Sequence, residues 1–134
     1  KNDQSLILDL LTWMHEMKAD YTNTFCYLMG EKFEKKKYYE NAKFLSWKER
    51  WKSRLYFNNK SPEKYLQLMR SVNPLVIPRN HKVEEALDAA NKDNFQPLKK
   101  LIEILSQPYF QNKNIIEYQL PSIQMEKYQT YCGT

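Results

Sequence analysis

Glycine is so scarce in this chain that a fold with many β-hairpins is disfavoured. Of the 134 residues, only Gly30 and Gly133 are glycine. The commonest β-hairpin turns need backbone with positive φ, and glycine adopts it at the least cost. Apolar side chains instead recur at three- and four-residue intervals along most of the sequence, which is the spacing of amphipathic helices. The sequence therefore predicts an all-α fold of about six helices in an irregular bundle.

Capping residues and prolines predict where several helices begin and end. Asp20 is expected to cap a short helix, and Gly30 is a natural place for that helix to stop. Ser61 followed by Pro62 predicts another helix start, because Ser caps well and Pro is tolerated in the first turn. A long helix is expected between the helix that stops at Gly30 and the helix that starts after Ser61, over about residues 41–57.

The apolar spacing also predicts which helix faces are buried. The first helix is expected over about residues 4–17 and the last long one over about residues 94–107. The inward positions predicted for the first helix are Leu6, Ile7, Leu10, Leu11, Met14 and Met17. Those predicted for the last are Leu98, Leu101, Ile102 and Leu105.

Pro74 and Pro78 enclose a segment that cannot be helical. Because a residue before proline is pushed out of the α region, Asn73 is expected to end a helix, and an extended link follows it. We expect Arg79 to tie this link to a carboxylate or to backbone carbonyls. Asn80 is expected to cap the next helix. These five residues are the predicted structural anchors of the middle of the chain.

The domain prediction is a helical domain over residues 1–108 and an extended tail over residues 109–134, with at most one helical turn. The tail carries Cys132, and the only other cysteine is Cys26. Neither belongs to a C-x-x-C pair, so free thiols in a reducing compartment are expected. The sequence shows no secretory leader and no apolar run long enough for a membrane helix. Since the chain begins at Lys1 without Met, we expect it to be part of a longer protein or a processed product.

The net charge of +5 is concentrated between residues 31 and 60. This segment contains ten basic and four acidic residues. Basic residues among aromatic rings could bind single-stranded nucleic acid or an acidic protein surface. However, Trp47 and Trp51 share a helical face with Phe44 and Leu55. This spacing favours burial of the rings in a core, and it disfavours base stacking.

The residues alone predict no catalytic or cofactor site in this chain. A phosphate-cradling loop needs several glycines, and two isolated ones cannot supply it. His15 and His81 have no His or Cys partner at metal-ligand spacing. Glu84 and Glu85 are adjacent on a helix, so their carboxylates point in different directions. No metal ligand is predicted either.

Several motifs follow one another along the chain. They are D-Y-T-x-x-F at residues 20–25, Trp47, Trp51 and Leu55 on one helix, N-P-x-x-I-P-R-N at 73–80, V-E-x-A at 83–86, Pro108-Tyr109, and Q-T-Y-C-G-T at 129–134. In this order they resemble the C-terminal region of the selenoprotein O family (UPF0061), which consists of kinase-like protein adenylyltransferases. The lysine-rich run at 32–37 and the tyrosine-rich tail depart from the family pattern.

The resemblance implies a longer parent protein with a kinase-like (pseudokinase) core N-terminal to this chain. That core would bind ATP with Mg²⁺ or Mn²⁺ and transfer AMP to Ser, Thr or Tyr of other proteins. The present chain would be a non-catalytic helical module that packs on the core of the same polypeptide. The parent would be cytoplasmic in a bacterium and mitochondrial in a eukaryote.

Cys132 lies where eukaryotic family members carry selenocysteine, and the resemblance implies a redox-active tail that can form a disulfide with the core. An alternative stays open. The chain could be an independent helical interaction module that binds an acidic partner or nucleic acid through residues 31–60.

Overall fold

A computed structural model describes residues 2–31, 36–57, 61–110 and 115–122 of the chain. In these ranges we find seven α-helices, one 3-10 helix and no β-strand, so the all-α prediction is confirmed. The helices are α1 (Asn2–Glu16), α2 (Tyr21–Leu28), the 3-10 helix (Lys37–Glu40), α3 (Ala42–Tyr56), α4 (Pro62–Val72), α5 (Asn80–Ala90), α6 (Gln96–Leu105) and α7 (Ile116–Gln119). None of the helices in the described ranges is long and apolar enough to cross a membrane.

The chain divides into two compact units, Lys1–Pro74 and Leu75–Thr134. We call them the first unit, with α1 to α4, and the second unit, with α5 to α7. The division falls within the predicted domain of residues 1–108. The boundary between that domain and a tail therefore stays a prediction. The short helix α7 lies in the predicted tail, where at most one helical turn is expected.

The core of the first unit is built largely from aromatic rings. The Trp13 and Phe44 ring centroids are 4.4 Å apart, and Tyr27 stacks on Tyr39 at 4.0 Å. Burying a large apolar side chain contributes about 1.5–3 kcal/mol, so these rings dominate the stability of the unit. The buried members of the core are Leu10, Trp13, Met14, Leu28, Tyr39, Phe44 and Trp47.

The predicted helix boundaries in this unit are largely confirmed. The Asp20 carboxylate accepts a hydrogen bond from the Asn23 backbone N–H at 2.8 Å, as expected of an N-cap. Gly30 follows the end of α2 with a φ of +80°, which a side chain would strain. Ser61 occupies the N-cap position of α4, and Pro62 is the first residue of that helix.

The predicted inward face of α1 is only partly right. Leu10 and Met14 are buried as expected, but Ile7 and Leu11 are exposed. Trp13, which was not among the predicted inward positions, is 3% exposed. The apolar residues of α1 cover more than one face, so their spacing allows several rotations of the helix. The large Trp13 ring, packed against Phe44, is the side chain that faces the core.

The second unit is formed by α5 and α6, joined by residues 91–95, together with α7. Ala86 is buried on α5, and its small side chain allows the two helices to approach closely. On α6, Leu101 is buried as predicted, whereas Ile102 is exposed and Ile104 is buried in its place. Ile104 lies three residues after Leu101 and so shares its face, while Ile102 is rotated by about 100°.

Candidate functional site

Asn73 ends α4 with both its backbone and its side chain. Its backbone N–H and its Nδ2 both donate to the Met69 carbonyl oxygen, at 2.9 and 2.8 Å. This carbonyl belongs to the last turn of α4 and would otherwise lack a helical donor. Pro74 follows at once, and its own carbonyl oxygen accepts a long contact of 3.7 Å from the Cys26 thiol. The predicted helix end before Pro74 is therefore confirmed, and Asn73 acts as its cap.

The link between Pro74 and Pro78 is not helical, as predicted, and a buried glutamine holds its second-unit part. Gln119 is 6% exposed, and its Nε2 donates to the Leu75 carbonyl oxygen at 3.0 Å. The Leu75 backbone N–H donates in turn to the Pro108 carbonyl oxygen at 2.7 Å. Both backbone polar groups of Leu75 are thus hydrogen-bonded, as the burial of this residue requires.

Arg79 completes this arrangement, which we call the Arg79–Gln119 clamp (Leu75, Arg79, Pro108 and Gln119). Its Nη2 donates to the Gln119 backbone carbonyl oxygen at 2.9 Å. The expectation that Arg79 bonds a backbone carbonyl is confirmed. A hydrogen bond from a charged donor is stronger than one between neutral groups, so this contact anchors the end of α7.

Asn80 does not cap α5, and that prediction was wrong. The helix begins one residue earlier than expected: Arg79 occupies the N-cap position with extended backbone, and Asn80 is the first helical residue. Asn80 is exposed. An amide placed inside the first turn cannot accept from the N–H groups that a cap satisfies.

Trp47 and Trp51 occupy successive turns of α3, and their rings stack at 5.8 Å with an angle of 9°. Trp47 is buried and donates its indole N–H to the Leu6 carbonyl oxygen of α1 at 2.8 Å. Trp51 is partly buried and packs on the same core. The prediction that these rings face a core is confirmed.

The basic residues of α3 are held by contacts within the first unit. Lys43 lies 2.7 Å from Glu16, and Arg50 lies 2.7 Å from Asp9. The other three contacts are Arg54 on Asp3, Lys52 on Glu49 within α3, and Lys48 over the Tyr27 ring at 4.7 Å. Exposed pairs of this kind contribute little to stability individually. Three of the five contacts, those of Lys43, Arg50 and Arg54, join α3 to α1.

A shallow cleft of about 560 Å³ in the second unit gathers opposite charges around Tyr118. Lys100 Nζ lies 3.1 Å and Lys82 Nζ 3.8 Å from the Glu117 carboxylate. Both lysines also lie over the Tyr118 ring, at 5.6 and 5.4 Å from its centroid. The hydrogen bond from Lys100 and the positive charges lower the pKa of Glu117 below its ordinary value. The charges in this cleft neutralise each other.

Of the two cysteines, Cys26 lies among the described residues. The thiol of Cys26 has no exposed surface. Cys132, the predicted redox residue, lies outside the described residues. In the described ranges, no group of three or more His, Cys, Asp or Glu side chains could hold a metal ion. The described residues therefore offer no ligand set for the Mg²⁺ or Mn²⁺ that the resemblance implies for the parent protein.

Gln119 is the anchoring residue that the sequence did not predict. It lies in the presumed tail, in a helix of four residues, without apolar periodicity around it. Its partners are 40 and 44 positions away in sequence. No local pattern could have identified it.

Comparisons with known proteins decide the family. A family model described as protein adenylyltransferase SelO matches residues 1–106. This chain belongs to the SelO family. Protein nucleotidyltransferase YdiU of Pelagibacter ubique is 48% identical over 135 residues, covering 100% of this chain and 28% of the relative. The proteins of the same name from Alcanivorax borkumensis and Nitrosococcus oceani are 46% and 43% identical, over 98% and 100% of this chain.

The chain spans 28% of the length of each of these three SelO relatives. The family match runs from α1 to the end of α6, so it includes helices of both units. Gln119 and Cys132 lie beyond residue 106, in a part of the chain that the Pelagibacter relative still covers. The resemblance to the selenoprotein O family is thereby confirmed.

Proposed function

We propose that this chain is a non-catalytic helical module of a protein adenylyltransferase. One observation carries the proposal: the chain matches nucleotidyltransferases along its whole length but spans only 28% of them. The described residues offer no metal-binding cluster, and the sequence has no glycine-rich phosphate loop. The remainder of the longer polypeptide would therefore hold ATP and the metal ion.

The chemistry proposed for the whole protein explains why ATP and the metal ion would be held outside this chain. In AMP transfer, a Ser, Thr or Tyr hydroxyl oxygen of a protein substrate forms a bond to the α-phosphorus of ATP. The bond between the α- and β-phosphates breaks, pyrophosphate leaves, and the hydroxyl proton passes to a base. Transfer of phosphorus groups depends on metal-bound carboxylates and on donors that cradle the phosphates. Those groups would come from the remainder of the polypeptide.

The part played by this chain would be structural. Its first unit is a rigid aromatic core, and the clamp of its second unit fixes the link before α5. The pairing of the α3 cations argues against the alternative of a free basic face for nucleic acid, since each of the five already has an intramolecular contact. The partner proposed is the kinase-like remainder of the same polypeptide.

The same proposal gives Cys132 a redox role. Its thiol would form a disulfide with a cysteine of the remainder, with loss of two protons and two electrons to an oxidant such as hydrogen peroxide. Cys26, without exposed surface, is unsuited to such exchange. This role would make AMP transfer by the whole protein depend on redox state.

Two forms of labelled ATP test the proposal on the full-length protein. With Mg²⁺ or Mn²⁺ and a mixture of protein acceptors, label on the α-phosphate should become covalently bound to protein. Label on the γ-phosphate should not. Transfer of the γ-label would show a phosphotransferase, and transfer of neither label would contradict the proposed function.

A further inference from the structure

Helix α1 is apolar around most of its circumference. At about 100° per residue, its apolar positions from Trp13 through Leu10 to Leu8 cover roughly 220°. One part of this arc faces the core of the first unit, where Leu10, Trp13 and Met14 are buried. The remaining part carries Ile7, Leu8 and Leu11, which are 60%, 54% and 42% exposed. We call these three residues the outer face of α1.

The outer face is continuous, which separates it from single exposed apolar residues. Leu11 follows Ile7 by four positions and Leu8 by three, so the three side chains are neighbours on the helix surface. The polar residues Gln4 and His15 bound the face at its two ends along the helix. The acidic residues of α1 that pair with α3, Asp9 and Glu16, lie on a different side of the helix.

Such a helix is normally enclosed on more than one side. A helix that packs on one neighbour carries an apolar stripe of about 100° or a little more, and the apolar arc of α1 is about twice as wide. Single exposed leucines are common on protein surfaces. A contiguous apolar patch with a polar rim marks a contact surface. Among the described residues of the first unit, none covers the outer face.

We infer that the outer face of α1 is the docking surface for the remainder of the longer polypeptide. This inference rests on the proposed function. The length of the relatives supplies the occupant: more than two thirds of the Pelagibacter protein lies outside the matched region, although all of this chain is matched. A polypeptide of that size, joined covalently to this module, is present at high effective concentration and can bury the face permanently.

The chemistry of the occupant follows from the face. It would present an apolar surface, with polar groups at the level of Gln4 and His15. A charged peptide or a nucleic acid would not satisfy three adjacent aliphatic side chains. A second copy of the chain is the competing occupant, and the test below separates the two.

Cysteine substitution on the full-length protein tests the inference without relying on enzymatic activity. Ile7→Cys and Leu11→Cys report on the outer face, and Ser5→Cys is the matched control at an exposed position on another side of α1. Each variant is treated with a thiol reagent, and peptide mass spectrometry gives the rate of modification at that position. The 134-residue chain with the same substitution provides the reference rate.

In the full-length protein, modification at positions 7 and 11 should be at least tenfold slower than in the 134-residue chain, and modification at position 5 should be unchanged. Equal rates at positions 7 and 11 in the two proteins would overturn the inference. Equal protection at all three positions would also overturn it, because it would not be specific to the outer face. Protection in the 134-residue chain that grows with its concentration would identify a second copy as the occupant.

This experiment and the labelled-ATP experiment fail independently. Protection without AMP transfer would leave the docking surface standing and refute the proposed activity. AMP transfer without protection would keep the activity and refute the docking surface.

Discussion

The indole nitrogen of Trp47 donates a hydrogen bond to the carbonyl oxygen of Leu6 at 2.8 Å, across 41 positions of sequence. The contact joins α3 to α1 inside the aromatic core of the first unit. The ion pairs between the same helices lie in water and contribute little individually. We therefore expect this buried tie, together with the ring packing, to determine the alignment of the two helices.

Replacing Trp47 by Phe should reveal the contribution of this tie. The substitution keeps an aromatic ring but removes the donor and part of the buried surface, so the free energy of unfolding should fall by about 1–3 kcal/mol. The matched control is Trp51→Phe, which makes the same change at a partly buried ring stacked on Trp47. Urea unfolding of both variants gives the comparison. Equal losses would contradict a special role for the Trp47 donor.

Arg79→Ala should destabilise the second unit by about 1–2 kcal/mol, because it removes the charged donor to the Gln119 carbonyl. Asn80→Ala should change the free energy of unfolding by less than about 0.5 kcal/mol, since Asn80 is exposed and is not the cap. Thermal unfolding of the two neighbouring variants measures the difference. A larger effect at Asn80 than at Arg79 would restore the capping role that the sequence suggested.

Residues 73–80 show which structural features can be predicted from the sequence alone. The two prolines determine that the link is not helical, and the steric rule before proline determines that α4 ends at Asn73. Both are local effects, and both predictions are confirmed. Helix α5 begins one residue earlier than predicted, with Arg79 in the N-cap position. The partner of Arg79, the Gln119 carbonyl oxygen 40 positions away, was not predicted either. Contacts at that distance leave no periodic pattern.

The same reasoning explains the helix faces that were predicted wrongly. On α1 and α6, apolar residues occupy more positions than one buried face can hold, so the spacing cannot show which of them face the core. Trp13 and Ile104 are buried, while Leu11 and Ile102 are exposed. Packing against the neighbouring helices determines which of these residues are buried. In the first unit, Trp13 packs against Phe44.

Glu117→Gln should lower stability at neutral pH and have no effect in acid. Lys100 and Lys82 lower the pKa of Glu117 in the folded chain, so its carboxylate contributes stability above its ordinary pKa near 4.5. That contribution is lost as the pH falls through the lowered pKa. The melting temperatures of the chain and the variant should differ at pH 7 and converge once the pH has fallen below the lowered pKa of Glu117. The difference should be absent at both pH values in a Lys82→Met/Lys100→Met background.

The two thiols should react at very different rates. Cys26 has no exposed surface, so its modification requires local opening and should be about two orders of magnitude slower than that of an accessible thiol. Cys132 is predicted to be accessible. A thiol reagent should therefore give one fast and one slow phase, and Cys132→Ser should remove the fast phase. A fast phase that survives this substitution would have to come from Cys26 and would contradict its burial.

Oxidation of the full-length protein tests the redox role proposed for Cys132. Peptide mass spectrometry without reduction should find the peptide of Cys132 linked to a cysteine of the remainder. A free Cys132 thiol under oxidising conditions, or a link to Cys26 alone, would reject that role.

Whether this chain carries any catalytic activity of its own is tested most directly by comparing the 134-residue chain with the full-length protein. Both are incubated with α-labelled ATP, Mg²⁺ or Mn²⁺ and the same protein acceptors, and protein-bound label is measured. Our account predicts transfer by the full-length protein and no label above background with the 134-residue chain. Transfer of AMP by the 134-residue chain alone would contradict the assignment of this chain as a non-catalytic module.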